Sequence, residues 1–220
     1  MSGQDITFDV EGKPASGYLS SPDQPGAPGV IVLHAWWGLN QFFRNLCDRL
    51  ANEGFVTFAP DLNEGRVAKT VEDAKQLMSE LSFERKHAVA SALVDFMHAQ
   101  PEVRNEPLSV IGFSMGAAWS LELASERHDD IGKVVLFYGV SDPDFRQVKA
   151  QLIGHFSDVD EWEPLDGIRA MERDMRSAGL DPSFYIYPNM SHWFFEEDRP
   201  EFDAQAAETA WRRTLDFLRK

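Results

Sequence analysis

A Gly-x-Ser-x-Gly pentapeptide, Gly112-Phe-Ser-Met-Gly116, stands near the middle of the chain. An apolar run, Leu108–Ile111, leads into it, and small residues with helical character follow it. In a sharp strand-to-helix turn of this kind, the serine has a strained backbone and its hydroxyl is exposed beyond the sheet. Glycines are needed there because side chains would collide with the neighbouring strand and helix. The pattern predicts Ser114 as a nucleophile.

A serine hydroxyl attacks a carbonyl only when a base takes its proton and a third group holds that base. His192 lies in the loop after the last predicted strand and before the final helix, where a serine–acid–histidine chain order places the base. This position predicts His192 as the base. The other histidines occupy different settings: strand ends for His34 and His155, a helix for His87 and His98, and a polar loop for His128.

Two aspartates are candidates for the third group. Asp158 and Asp160 both follow the predicted strand Gln151–Phe156 in its carboxyl-end loop. Either residue fits an ordinary solvated turn that caps the next helix. Position alone leaves both candidates open.

The rest of the chain contains alternating elements that would position these residues. Strands are predicted at Ile6–Val10, Ala15–Leu19, Val30–Leu33, Phe55–Ala59, Leu108–Ile111, Val134–Tyr138, Gln151–Phe156 and Ser183–Tyr187. Helices are predicted at Gln41–Asn52, Val71–Leu81, Glu84–His98, Met115–Ala124, Leu165–Ala178 and Phe202–Leu218. This alternation predicts an α/β fold with a mostly parallel, doubly wound sheet and an antiparallel pair at the N-terminus. No segment is long enough for a large lid domain. The candidates fall at the carboxyl ends of strands, where such sheets place their sites.

The composition limits the classes of protein to consider. A chain of 220 residues that is 43% hydrophobic predicts one domain, residues 1–220, with a proper core. The formal charge of −15, without a basic stripe, argues against nucleic acid as a partner. The sequence shows no signal peptide and no apolar run of membrane-spanning length, so we expect no membrane partner and a cytoplasmic location.

Cysteine and cofactor motifs are sparse. Cys47 is the only cysteine, which excludes an internal disulfide and a cysteine-based metal cluster. We expect it to be a buried, inert thiol on a helix. No Gly-rich dinucleotide fingerprint follows an early strand, and the histidines lack ligand spacing. The sequence therefore predicts neither a cofactor nor a metal.

Aromatic residues are concentrated at the predicted catalytic edge. They fit an apolar substrate pocket, and equally they fit ordinary core and rim packing. The candidate pocket residues are Trp37, Phe113, Trp162 and Trp193, with Trp36 in the same loop as Trp37 and Met115 beside the nucleophile.

The chain resembles the dienelactone hydrolase family of α/β-hydrolases from about Val30 to its C-terminus. The resemblance implies that the acid is Asp160, five residues after His155, and that the base is His192. It also implies an oxyanion hole formed by the backbone amides of Trp36 and Met115. The resemblance rests on Leu33–Asn40, Ala59–Leu62, Gly112–Gly116, His155–Asp160, Tyr187–Phe194 and the helix Ala207–Leu218.

Three departures from the family pattern bear on activity. The founding members carry a cysteine where this chain has Ser114, and a glutamate where it has Ala35. Both the cysteine nucleophile and the glutamate that controls its thiol are therefore replaced here, which predicts an ordinary serine triad. Glu196 stands where the family has an arginine that binds the substrate carboxylate, and Arg66, Lys69 and Arg199 are the cations that would compensate. Dienelactone is therefore not the expected substrate.

The sequence as a whole predicts a serine hydrolase acting on small or medium carboxylic esters or lactones, with thioesters as a variant. The alternative is a catalytically silent α/β-hydrolase scaffold that binds a small molecule or a protein. A peptidase is disfavoured because the chain is too compact for a large cap. The sequence leaves the oligomeric state open.

Overall fold

A computed structural model describes residues 3–220 of the chain. These residues form eight strands: Gln4–Val10 (β1), Lys13–Ser20 (β2), Gly29–Leu33 (β3), Val56–Pro60 (β4), Leu108–Phe113 (β5), Ile131–Phe137 (β6), Gln151–Ser157 (β7) and Ser183–Tyr187 (β8). The helices are Gln41–Asn52 (α1), Val71–Glu80 (α2), Phe83–His98 (α3), Met115–Glu126 (α4), Leu165–Ser177 (α5) and Ala204–Leu218 (α6).

The strands belong to one mixed sheet in the order β1-β2-β4-β3-β5-β6-β7-β8. β2 is antiparallel to both β1 and β4, whereas the pairs β3–β4, β6–β7 and β7–β8 are parallel. This arrangement confirms the predicted α/β fold with its N-terminal antiparallel pair. The described chain divides after Val110, within β5, into two compact units. That residues 1–220 form one domain stays a prediction.

The first unit begins with the hairpin formed by β1 and β2. Its turn residues Glu11 and Gly12 have φ of +56° and +76°, which matches the twist of a two-residue hairpin loop. The side chain of Asn40, the predicted cap, accepts a hydrogen bond from the Phe43 amide and begins α1. α3 covers the sheet through Phe96, whose ring centroid lies 5.1 Å from those of Phe8 and Phe58.

The second unit runs from the middle of β5 to the C-terminus. The strand predicted at Val134–Tyr138 ends one residue early, at Phe137, because Tyr138 has a left-handed φ of +39°. The last helix, predicted from Phe202, begins at Ala204, because the Asp203 carboxylate caps it by accepting from the Ala206 amide at 2.8 Å.

Among the helices formed by residues 3–220, none combines the length and apolar character needed to cross a bilayer.

Candidate active site

Ser114 lies at the junction between β5 and α4. Its φ of +51° is a backbone conformation that residues other than glycine rarely adopt. Its amide donates a hydrogen bond to the Phe137 carbonyl at 2.8 Å. A Cβ at Gly112 would overlap the Gly116 carbonyl oxygen and the Ser120 hydroxyl, so only glycine allows this turn. The hydroxyl of Ser114 makes no helix-capping bond. The turn therefore leaves this hydroxyl available for another partner.

That partner is His192. The Nε2 atom of His192 lies 2.9 Å from the Ser114 Oγ, and its Nδ1 atom lies 2.7 Å from the Asp160 Oδ2. With the proton on Nδ1, the ring donates a hydrogen bond to Asp160 and its Nε2 atom accepts a hydrogen bond from the serine hydroxyl. The exposed fractions of the His192 and Asp160 side chains are 3% and 1%. The three side chains form a continuous hydrogen-bonded chain in which the histidine and aspartate side chains are buried and the serine is partly exposed.

The loop after β7 fixes the carboxylate of Asp160. Its Oδ1 accepts hydrogen bonds from the amides of Trp162 and Glu163, at 2.8 and 3.0 Å. Burial acts to raise the pKa of Asp160, but the hydrogen bond and charge of His192 and these amides outweigh burial and lower it. Asp160 is therefore ionised at neutral pH, as a partner for an imidazolium must be.

Asp158, the other aspartate of this loop, lies apart from the histidine. Its Oδ1 accepts from the amide of Asn189 at 2.7 Å, and the residue is exposed. Asn189 has a φ of +60°, so this bond holds a tight turn in the loop that carries His192. The structure thus brings Asp160, and not Asp158, to the imidazole.

Tyr138 packs against the imidazole from the end of β6. Its ring centroid lies 4.9 Å from that of His192, and its hydroxyl donates to the Glu196 Oε1 at 2.8 Å. Both Tyr138 and Glu196 are fully buried. Glu196 stands in the sequence where the family has an arginine that binds the substrate carboxylate; in the structure its buried carboxyl accepts the hydrogen bond of Tyr138.

Burial raises the pKa of Glu196 to about 8, and the charges of Asp198 and Glu201 add to this effect. The Tyr138 bond and the charge of Arg199 act in the opposite direction. Burial, followed by the charge of Glu196, raises the pKa of Tyr138 well above its ordinary value. At neutral pH this pair is therefore uncharged, which suits its complete burial.

The predicted pocket residues of the second unit divide into two groups. Trp162 is 41% exposed, and its ring centroid lies 5.7 Å from that of the buried Trp193. The Trp193 ring in turn meets His192 edge-on, with 4.8 Å between the centroids. Phe113 has no exposed surface and stacks on Phe137 at 4.6 Å, so the structure places it in the core.

Trp36 and Trp37, the two candidate tryptophans of the first unit, lie in the loop after β3. Their ring centroids are 5.5 Å apart, and Trp37 is buried. The carbonyl of Trp36 accepts from the Asn63 side chain at 3.0 Å, and the carbonyl of Trp37 accepts from the Ala68 amide at 2.9 Å. These bonds give the loop a defined conformation. The pocket role of Trp37 stays a prediction.

Met115 is the first residue of α4, directly after Ser114. Backbone amides in the first turn of a helix point outward along its axis and favour negative charge. The Met115 amide is therefore positioned at the start of the helix dipole. The pairing of this amide with that of Trp36 stays a prediction.

The structure of residues 3–220 shows whether side chains are grouped to bind a metal ion and whether the Cys47 thiol is reactive. Among residues 3–220, no group of three or more His, Cys, Asp or Glu side chains is arranged to hold a metal ion. Burial raises the pKa of the Cys47 thiol to about 12. Cys47 is therefore a neutral thiol at physiological pH.

Two residues close to the site were missed by sequence reasoning: Tyr138 and Glu163. Tyr138 directly follows β6, at a strand's carboxyl end, and this position was the available signal. Glu163 stands three residues after Asp160, where the sequence predicts an ordinary solvent-exposed carboxylate in a loop. Only its burial distinguishes it.

Comparison with known proteins gives consistent matches. The model of the "Dienelactone hydrolase family" matches residues 15–220. "Protein usf" of Aquifex pyrophilus is 32% identical over 99% of this chain and 98% of its own. A protein of Aquifex aeolicus named "Putative carboxymethylenebutenolidase" is 29% identical with the same coverage. Among solved structures, a dienelactone hydrolase-like promiscuous phosphotriesterase from metagenomic libraries superposes with a TM-score of 0.86 over 98% of this chain and 96% of that one. At 21% identity, this likeness concerns the fold.

Proposed function

Because the chain belongs to the dienelactone hydrolase family, we propose that it is a serine hydrolase that cleaves small or medium carboxylic esters or lactones. The observation that carries this proposal is the hydrogen-bonded chain from Ser114 through His192 to Asp160, at 2.9 and 2.7 Å. A nucleophile, a base and a group that orients the base are what acyl transfer to serine requires.

In the first half of the proposed reaction, the Ser114 Oγ attacks the substrate carbonyl while the Nε2 atom of His192 takes the hydroxyl proton. The carbonyl oxygen becomes an oxyanion, and the Met115 amide at the start of α4 donates to it. The second donor is assigned to the Trp36 amide by resemblance. The ionised Asp160 stabilises the imidazolium through its bond to Nδ1.

Collapse of the tetrahedral intermediate breaks the bond to the leaving oxygen, which receives the proton from His192. For a lactone, the leaving alcohol stays attached to the acyl group as its hydroxyl end. Water then attacks the acyl-serine with His192 as base, and release of the acid restores the Ser114 hydroxyl. The cycle balances protons and needs no metal or redox partner.

The substrate class rests on two observations. The relative named "Putative carboxymethylenebutenolidase" carries the name of a lactone hydrolase, and lactones are cyclic esters. Trp162 offers an exposed apolar surface against the buried Trp193, whose ring meets His192. We therefore propose a substrate with an apolar group close to its ester carbonyl, and thioesters as a variant of the same chemistry.

A fluorophosphonate probe tests this proposal, since it labels only an activated serine. We expect one adduct on the Ser114 peptide by mass spectrometry, and no adduct in the His192→Ala variant. Folded protein that takes no label, together with no turnover of a panel of esters, lactones and thioesters, would contradict the proposal. That result would favour a silent scaffold that binds a ligand.

A further inference from the structure

A buried histidine, His34, directly follows β3 and takes no part in the proposed triad. It has no exposed surface, and the Phe43 ring packs against its imidazole with 6.0 Å between the ring centroids. Both ring nitrogens meet backbone atoms: Nδ1 lies 2.6 Å from the carbonyl oxygen of Ala35, and Nε2 lies 3.0 Å from the amide nitrogen of Leu62. His34 therefore joins the loop after β3 to the loop after β4.

These two partners fix where the imidazole carries its proton. A backbone amide can only donate, so Nε2 is unprotonated and accepts from Leu62. A carbonyl oxygen can only accept, so Nδ1 carries the proton and donates to Ala35. Burial lowers the pKa of His34, whereas the Ala35 bond and the charge of Asp61 oppose this shift only in part. The ring is thus a neutral imidazole that donates at Nδ1 and accepts at Nε2.

The bond from Nδ1 fixes the direction of the peptide group between Ala35 and Trp36. The Gly38 amide also donates to the Ala35 carbonyl, at 3.2 Å, so this oxygen has two donors. The peptide group is trans, and its N–H, which belongs to Trp36, points in the opposite direction to its carbonyl. Holding the carbonyl of Ala35 therefore sets the direction of the Trp36 N–H.

The next two carbonyls of the same loop are held by the segment after β4. The Trp36 carbonyl accepts from the Asn63 side chain at 3.0 Å, and the Trp37 carbonyl accepts from the Ala68 amide at 2.9 Å. Three consecutive carbonyls thus have hydrogen-bond donors. The first of them is the carbonyl to which the His34 ring donates, and it is the one whose peptide group carries the Trp36 N–H.

We propose that His34 is a positioning residue for the oxyanion hole: its Nδ1–H holds the Ala35 carbonyl and thereby sets the direction of the Trp36 N–H, the donor assigned to the oxyanion. This inference rests on the proposed function, in which the Trp36 amide is the second oxyanion donor. Such donors stabilise the transition state only when they are held in place before the reaction. The Leu62 bond to Nε2 keeps the ring in the required tautomer and orientation.

Two amide side chains separate the two bonds of the imidazole. Asparagine is short and places its N–H donor near the position of Nδ1, so His34→Asn can keep the bond to Ala35 while it loses the bond to Leu62. Glutamine is longer and places its carbonyl oxygen near the position of Nε2. His34→Gln can therefore keep the bond to Leu62 while it loses the bond to Ala35.

The test is kcat and KM with p-nitrophenyl acetate for the wild type and both variants, with each rate referred to the amount of folded protein. We expect His34→Gln to lower kcat by about 10-fold or more with KM changed by less than about threefold. The reason is that loss of one oxyanion donor costs about 10²- to 10³-fold in kcat, and a misdirected donor costs a part of this. We expect His34→Asn to keep kcat within about threefold of the wild type.

Thr57→Val supplies the matched control for a loss of stability in the same unit. Thr57 is buried in β4, and its hydroxyl donates to the Cys47 carbonyl at 3.0 Å. Valine keeps the shape of the side chain but removes this buried hydrogen bond to a backbone carbonyl. We expect a lower Tm with kcat unchanged, which separates the loss of a buried bond from the loss of an oxyanion donor.

Wild-type kcat in both His34 variants would overturn the inference. Equal losses of kcat in the two variants, or a loss confined to His34→Asn, would overturn it as well, because the bond to Ala35 would then not govern the rate. Nitrogen NMR of the wild type with isotopically labelled histidine is a second test that needs no variant to fold. We expect His34 to be protonated at Nδ1, and a proton on Nε2 would contradict the inference.

Failure of this inference is distinct from failure of the proposed function. If the proposed function is wrong, the wild type itself shows no turnover and no fluorophosphonate adduct on Ser114. If only the inference is wrong, the wild type is labelled and active, and the two His34 variants do not differ in the expected direction.

Discussion

The Tyr138 hydroxyl donates a 2.8 Å hydrogen bond to the Glu196 carboxyl, and neither side chain reaches solvent. The second oxygen of Glu196, Oε2, is buried without a hydrogen-bond partner among residues 3–220. An ionised carboxylate is costly in such a place, which is why the proton is retained. The ring that this bond anchors packs on His192, so the charge state of Glu196 bears on the site.

Glu196→Gln is expected to flatten the dependence of stability on pH between about 4.5 and 8. The pKa of Glu196 is raised from an ordinary 4.5 to about 8. The folded state therefore holds the proton more tightly than the unfolded state. The resulting stabilisation is complete below pH 4.5 and is lost as pH rises through about 8. Glutamine has no proton to lose.

Thermal unfolding at about pH 5 and about pH 8 measures this difference. The wild type should lose more of its Tm between the two values than Glu196→Gln does, with Glu197→Gln, an exposed neighbour, as the control. Equal losses in wild type and Glu196→Gln would show that Glu196 is already ionised in the folded protein.

Ser114→Ala is expected to lower kcat for ester hydrolysis by about 10³-fold or more, since only the oxyanion donors and binding would remain. Ser114→Gly should be equally inactive but more stable than Ser114→Ala by about 1 kcal/mol, because glycine adopts a positive φ without strain. Kinetics and urea unfolding of the two variants check both statements. Full activity in either variant would exclude Ser114 as the nucleophile.

The two aspartates of the β7 loop are expected to differ sharply. Asp160→Asn should lower kcat by about 10³- to 10⁴-fold, because an amide that donates to Nδ1 favours the wrong tautomer of His192. Asp158→Asn retains an oxygen that can accept from the Asn189 amide, and we expect a change of less than about threefold. Steady-state measurements of kcat for both variants with one ester substrate test this difference. The reverse ranking would assign the acid to Asp158.

Trp162→Ala is expected to raise KM for aryl esters several-fold with little change in kcat, since the exposed ring would contribute binding rather than chemistry. Val159, on the same loop and 58% exposed, supplies the control Val159→Ala. The comparison of phenyl and methyl esters of one acid isolates the aromatic contribution. An unchanged KM for both esters in Trp162→Ala would remove Trp162 from the substrate pocket.

Much of the fold followed from local patterns. The limits of α1 and β8 match their predictions because a capping asparagine and a continuous β-rich run mark them in the sequence. Tyr138 was wrongly included in a strand, since a left-handed residue at the end of a β-rich run leaves no trace in residue type. Such a conformation is set by what packs around it.

The sequence by itself determined the fold class, the serine turn and the chain order of the candidates, because these depend on residue type and spacing. It could not choose between Asp158 and Asp160 on chemistry, since both follow the same strand. Only the tertiary structure decided which carboxylate meets His192, and that Glu196 lies beneath Tyr138. These relationships join residues far apart in the chain, and burial together with the neighbouring hydrogen bonds and charges sets the charge states of Asp160 and Glu196.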